Sequence, residues 1–71
     1  VKAYQTRNGA TQYKPTFKWA EKAADQNKGF CLACGKTQSV VEPDARRYAC
    51  THCKKEKVYG AEELVVMGLV Y

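Results

Sequence analysis

The chain has 71 residues, with twelve Lys and Arg against seven Asp and Glu, four cysteines and a formal charge of +5. A chain this short buries only roughly 60% of the surface its unfolded form exposes, so an ordinary core is marginal and a covalent or metal staple is expected. Length excludes two domains, a dinucleotide-binding or barrel enzyme and a long coiled coil. No apolar run approaches the ~20 residues that span a bilayer and no leader signature opens the chain, so a cytoplasmic location without membrane association is expected.

Residues 3–14, AYQTRNGATQYK, are predicted to form a β-hairpin about a two-residue Asn8-Gly9 turn. That register pairs Tyr4 with Tyr13, Gln5 with Gln12 and Thr6 with Thr11, which puts both tyrosines on one face. Pro15 and Thr16 then announce an amphipathic helix over 16–28, with Thr16 as N-cap and Gly29 as its stop. Its inner stripe is Phe17, Trp19, Ala20, Ala23 and Ala24, and its outer face carries Lys18, Glu21, Lys22, Asp25 and Gln26.

Next come Cys31-Leu-Ala-Cys34, fifteen intervening residues, and Cys50-Thr-His-Cys53. Two CxxC pairs at this spacing are the pattern of a four-thiolate metal site. Each pair can wrap its backbone round one ion, and together they complete a tetrahedron with metal–sulfur distances of ~2.3 Å. One structural Zn²⁺ is the expected cofactor. Iron uses the same ligands; disulfides and dithiol redox chemistry fit the spacing and context less well. His52 is expected to be a solvated knuckle residue. Gly35 suits the first knuckle because it accepts positive φ, whereas the second has Lys54 there, so the two halves are expected to be unequal. Four thiolates and one Zn²⁺ sum to −2, which reduces +5 to about +3.

Between the pairs, residues 36–42 and 46–50 are expected to form a second hairpin across Glu42-Pro43-Asp44-Ala45. Residues 60–71 form a core segment. Glu62, Glu63 and Gly68 suit a short helix, while Leu64, Val65, Val66, Leu69 and Val70 also suit a buried strand.

From Phe30 to Tyr59 the CLACG knuckle, flanking strands and second CxxC resemble the zinc-ribbon group, and the flanking hairpin and helix are similar to small zinc-ribbon proteins of bacteria and tailed phages. The resemblance implies a small α+β fold: a four-cysteine zinc ribbon over 30–59 with an N-terminal hairpin and one amphipathic helix, in a single domain spanning 1–71. Transcript-cleavage ribbons carry adjacent acids at a hairpin tip. Here Glu42 and Asp44 are separated by Pro43, so that activity is not carried over.

Two functions compete. The basic residues Arg7, Arg46, Arg47, Lys54, Lys55 and Lys57, with Tyr48 and Tyr59 able to stack on bases, point to a noncatalytic nucleic-acid-binding module in transcription or DNA metabolism. Alternatively, the chain is an adaptor or inhibitor that grips RNA polymerase or another large host or cellular enzyme. Charge is spread in a way that suits either, with six basic residues against two acids over 1–28 and six against three over 29–57. No acid/base pair or nucleophile with a neighbouring base is recognisable, so neither catalysis nor a small-molecule substrate is expected.

Overall fold

The computed structural model describes all residues, Val1–Tyr71. Its first element is the expected hairpin, β1 (Lys2–Gln5) and β2 (Thr11–Lys14), but the register is one residue away from expectation. Tyr4 faces Gln12 and Ala3 faces Tyr13. The two-residue turn needs positive φ at both central positions, and only Gly9 has it, at +85°. Thr6 instead pairs with Ala10 across a three-residue loop, with the Gly9 N–H donating to Thr6 O at 3.0 Å and the Thr6 N–H to Ala10 O at 2.8 Å. The Thr6 hydroxyl supports this loop by accepting the Ala10 N–H at 3.2 Å and donating to Asn8 Oδ1 at 2.5 Å. A one-residue slip exchanges the faces of a strand, so the tyrosines separate. Tyr13 packs with Phe30, Leu32 and Leu64, and its N–H donates to Leu32 O at 2.9 Å, which stitches the hairpin to the rest of the chain. Tyr4 is half-buried on the other face, its hydroxyl donating to Gln12 Oε1 at 2.7 Å and its ring 5.3 Å from the Lys14 ammonium.

Helix α1 covers Phe17–Ala24, shorter than the predicted 16–28. Thr16 is the N-cap, its Oγ1 accepting the Trp19 N–H at 3.0 Å. The stop comes early because Asn27 takes the left-handed conformation (φ +51°) and turns its carbonyl to the Val41 N–H at 2.8 Å. Asn is one of the few side chains that tolerates this region. Gly29 is thereby freed from the helix end and enters a strand. Ala20 and Ala23 are buried against Ala61, and Trp19 meets Phe30 edge-on with centroids 5.8 Å apart. Phe17 departs from the predicted inner stripe at 47% exposure. Helical side chains point back toward the N-terminus, so the ring of the first residue projects past the face that the C-terminal segment covers.

Four strands, β3 (Lys28–Cys31), β4 (Thr37–Ser39), β5 (Tyr48–Ala49) and β6 (Glu56–Gly60), form an antiparallel sheet in the order β4-β3-β6-β5. Each CxxC pair is the turn of its own hairpin, β3–β4 or β5–β6. The predicted pairing of 36–42 with 46–50 is not formed, because β4 and β5 are the opposite outer strands. The Glu42–Ala45 turn does exist, closed by the Ala45 N–H donating to Glu42 O at 3.0 Å. Val40 and Arg47 on either side have φ of +59° and +54°, which breaks both strands before they can pair across it. The loop instead crosses between edges and buries Val41 and Ala45 in a cluster with Val58, Cys31 and Cys50. Gln38 then ties the two outer strands together: its Nε2 donates to Ala49 O at 3.3 Å and its Oε1 accepts the Thr51 N–H at 3.0 Å. The sheet is therefore curled.

Of the two C-terminal alternatives the helix forms, α2 (Ala61–Val66). Gly60 offers no side-chain cap, so the crossover loop supplies one, with Pro43 O accepting the Glu63 N–H at 3.0 Å. Gly68 ends the helix at φ +73°, and the Leu69 N–H returns to Leu64 O at 2.9 Å, the capping pattern expected of a left-handed glycine. The tail closes on α1, since the Phe17 N–H donates to Tyr71 O at 2.7 Å and the Tyr71 N–H to Pro15 O at 3.1 Å. No helix is long and apolar enough to cross a membrane.

Glu63 is a buried carboxylate whose Oε2 meets Arg46 Nε at 2.9 Å. Arg46 itself is 70% exposed, so solvent weakens the pair. Arg46→Ala is expected to cost about 1 kcal/mol by leaving Glu63 unpaired, and Arg46→Ala/Glu63→Gln should recover part of that loss. Urea denaturation of the metal-loaded protein measures both.

Candidate metal centre

The two knuckles are built alike. In the first, the Cys31 N–H donates to Lys36 O and the Gly35 N–H to Cys31 O, both at 2.9 Å; in the second, the Cys50 N–H donates to Lys55 O at 2.9 Å and the Lys54 N–H to Cys50 O at 3.0 Å. Each closes on a residue with positive φ, Gly35 at +79° and Lys54 at +67°. The expected inequality thus lies in energy rather than in shape, because a residue with a Cβ is disfavoured by about 1–2 kcal/mol in this conformation. Lys54→Gly is expected to stabilise the metal-loaded protein by about 1 kcal/mol, read as a raised urea midpoint with unchanged slope.

The four Sγ atoms converge, all within 4.8 Å of one another. Cys31 Sγ lies 3.7 Å from Cys53 Sγ, and Cys34 Sγ lies 3.7 Å from Cys50 Sγ. A tetrahedron with metal–sulfur bonds of ~2.3 Å has sulfur–sulfur edges of ~3.8 Å. Both close contacts link one knuckle to the other, so the four sulfurs form a single cluster rather than two bonded pairs. The donor set fits one tetrahedral metal ion. Cys31 and Cys50 are buried and Cys34 and Cys53 half-buried, and His52 is exposed, directing only its backbone N–H to Cys50 Sγ at 3.3 Å.

The thiols differ in acidity before any ion binds. Burial pushes Cys31 up to about 12, against the opposing pull of the Cys34 and Ala33 N–H groups, and burial also raises Cys34. Cys50 is lowered to about 6, chiefly by the Cys53 N–H, with the His52 N–H assisting. N–H groups aimed at a sulfur favour the thiolate, and they would remain as donors to a ligated sulfur. The arrangement is closed by four protein ligands, the pattern of a structural rather than a catalytic ion.

No protein-family model, curated protein or solved structure matches this chain. The reading of its surface therefore rests on the residues themselves. Arg46 is engaged by Glu63. The Tyr48 hydroxyl donates to the Glu42 carboxylate, which lowers the pKa of Glu42 and raises that of Tyr48. Tyr59 packs with Phe30, Leu32 and Leu64 and is no free stacking platform. By contrast, Arg47, Lys54, Lys55 and Lys57 line one open depression of about 770 Å³, in which Glu56 is the single acid. Arg7 sits exposed in the hairpin turn.

A second hollow of about 310 Å³ shares Lys55 and Lys57 with the first and is otherwise lined by Ala33 and the hairpin, including Thr6, Asn8, Thr11 and Gln12. These hairpin residues carry no signal in the sequence, because which wall faces the ribbon depends on the docking of Tyr13 on Leu32. An apolar hollow of about 200 Å³ lies apart from both, lined by Val1, Pro15, Trp19 and Phe30 among others.

Proposed function

We propose that the chain is a noncatalytic zinc-ribbon module, stapled by one zinc ion on Cys31, Cys34, Cys50 and Cys53, whose partner is nucleic acid in transcription or DNA metabolism. A closed set of four thiolates suits structural zinc. The observation that carries the nucleic-acid reading is the depression beside the second knuckle, where Arg47, Lys54, Lys55 and Lys57 stand with one acid. Clustered cations on a single face are the electrostatic footprint of phosphate binding. The module would rest on phosphates rather than read bases, since the Tyr48 hydroxyl is tied to Glu42 and half-buried Tyr59 packs against Phe30 and Leu64.

The test is fluorescence anisotropy with labelled oligonucleotides across a salt series. With Z phosphates neutralised, log affinity should fall with log salt at a slope of roughly −0.9Z for duplex or −0.7Z for single strands. Absence of binding at low salt would remove this reading. Elemental analysis with native mass spectrometry reads the metal, and one iron in place of one zinc would correct the cofactor.

A second reading, a protein-binding adaptor, has its own support in the apolar residues on the outer side of α2, with Val66 79% and Met67 40% exposed. Capture of a protein that persists after nuclease treatment, and is lost in Val66→Asp, would favour it.

A further inference from the structure

The hollow between the hairpin and the second knuckle has a shape that net basicity alone does not explain. Its floor reaches Ala33 in the first knuckle. On one side stand Lys55 and Lys57, both exposed, and on the other the uncharged polar hairpin residues Thr6, Asn8, Thr11 and Gln12. The open depression adjoins it, since Lys55 and Lys57 border both hollows, and Arg47 and Lys54 add to the cationic side there. The result is a concave surface with cations on the ribbon side and uncharged polar residues on the hairpin side.

From this geometry we infer that the cleft holds the sugar–phosphate backbone of a single-stranded nucleic acid, with the hairpin as the second wall. This rests on the nucleic-acid reading above. Duplex DNA presents its phosphates on a stiff convex cylinder, and a protein reads it by inserting a convex element into a groove about 12 Å wide. A concave trough of about 310 Å³ does the opposite: it admits a thin flexible strand and excludes a cylinder. Cations tracking a backbone are the usual device of single-strand binding. With no aromatic side chain in the lining, the contacts available are to sugars and phosphates, which carry no base readout. An acidic polypeptide could satisfy the lysines, but it presents carboxylates at irregular intervals, whereas four cations around one depression suit the closely spaced charges of a phosphate chain.

The experiment compares labelled oligothymidylate, oligouridylate and a mixed-sequence duplex, each of about 12 nucleotides or base pairs, on the metal-loaded full chain. The single strands should bind more tightly than the duplex, with a salt slope of about −3 if the four cations each meet a phosphate. Lys55→Glu/Lys57→Glu should weaken single-strand binding by roughly tenfold or more. Lys18→Glu/Lys22→Glu, the same charge change on exposed positions of α1 outside the cleft, should have a much smaller effect. Thr11→Glu adds a negative charge to the hairpin wall and should weaken single strands while leaving residual duplex binding nearly unchanged. Far-UV circular dichroism checks that each variant is folded. Equal or tighter duplex binding, or indifference to Thr11→Glu, overturns the cleft assignment while leaving nucleic-acid binding intact. Displacement of the oligonucleotides by equal concentrations of oligoglutamate also overturns it, and no binding of any oligonucleotide overturns both readings.

Discussion

Removal of the metal by a strong chelator is expected to unfold the chain, with loss of its far-UV circular dichroism, and added zinc to restore it. Only fifteen of the 71 residues are buried, and two of those are the ligand candidates Cys31 and Cys50. The cluster that joins the two halves of the curled sheet consists of Cys31, Val41, Ala45, Cys50 and Val58, so two of the four candidate ligands are themselves core. A core of this size supplies on the order of 3–5 kcal/mol at most, whereas a structural zinc contributes roughly 10–16 kcal/mol in small finger peptides. Cys31→Ser should have nearly the same consequence as chelation. Acidification should act in the same direction, since protons compete for the thiols. Cys50, lowered to about 6 from an ordinary value of 9.0, stabilises the folded chain at pH above its unfolded value, and that contribution is lost as pH falls through about 6. Because the metal-free chain is unfolded, its thiols start from ordinary acidity, and log affinity should fall with pH as all four give up their protons to the metal. Competition with a chromophoric chelator between about pH 5 and 8 measures that slope. A chain that keeps its circular dichroism without metal would mean that the four sulfurs are a packed thiol cluster and not a staple.

The parts legible in the sequence are those fixed by local chemistry. The CxxC spacing brings the four sulfurs together because each pair closes a short turn of its own, and Thr16 and Gly68 cap their helices through bonds made within a few residues. Expectation and structure part where a distant group decides. Asn27 ends α1 in place of Gly29 because its carbonyl has a partner in Val41, fourteen residues on. The hairpin register follows from Thr6 bracing its own loop, and only the slipped register turns Tyr13 toward Leu32 and Leu64 while Tyr4 lies on the other face. Local turn residues correctly located Glu42–Ala45, but not that Val40 and Arg47 adopt positive φ and send the chain across to the opposite edge. Of the eight residues expected to meet a partner, Arg47, Lys54, Lys55 and Lys57 share one hollow and Arg7 lies in the hairpin turn, whereas Arg46 is drawn away by Glu63, Tyr48 by Glu42, and Tyr59 packs half-buried against Phe30 and Leu64. Counting cations cannot separate a free lysine from an arginine committed to a buried acid.

Gly60→Ala is expected to be among the most damaging changes to the metal-loaded protein outside the cysteines, at about 3 kcal/mol or more. A Cβ at this position would overlap Glu42 O and Pro43 O at well under 3.0 Å, and these are backbone atoms that no rotamer change can move. Nor can the loop simply back away. Glu42 O holds the Ala45 N–H, Pro43 O holds the Glu63 N–H that starts α2, and Ala45 O holds the Gly60 N–H at 3.0 Å. Displacing the loop would uncap α2, draw Ala45 and Val41 out of the cluster around the cysteines, and separate Arg46 from Glu63. The effect is one of space, because Gly60 is an ordinary extended residue with φ −69°. Gly68→Ala provides the contrast: φ there is +73° and nothing lies within 4 Å of the added Cβ, so only the conformational penalty of about 1 kcal/mol applies. At about 4–8 °C per kcal/mol for a chain of this size, thermal melts of the two zinc-loaded variants should differ by roughly 8 °C or more. Equal losses would mean that the crossover loop yields easily, and then the contact of Glu42 and Pro43 with Gly60 could not be what holds α2 against the metal-bearing sheet.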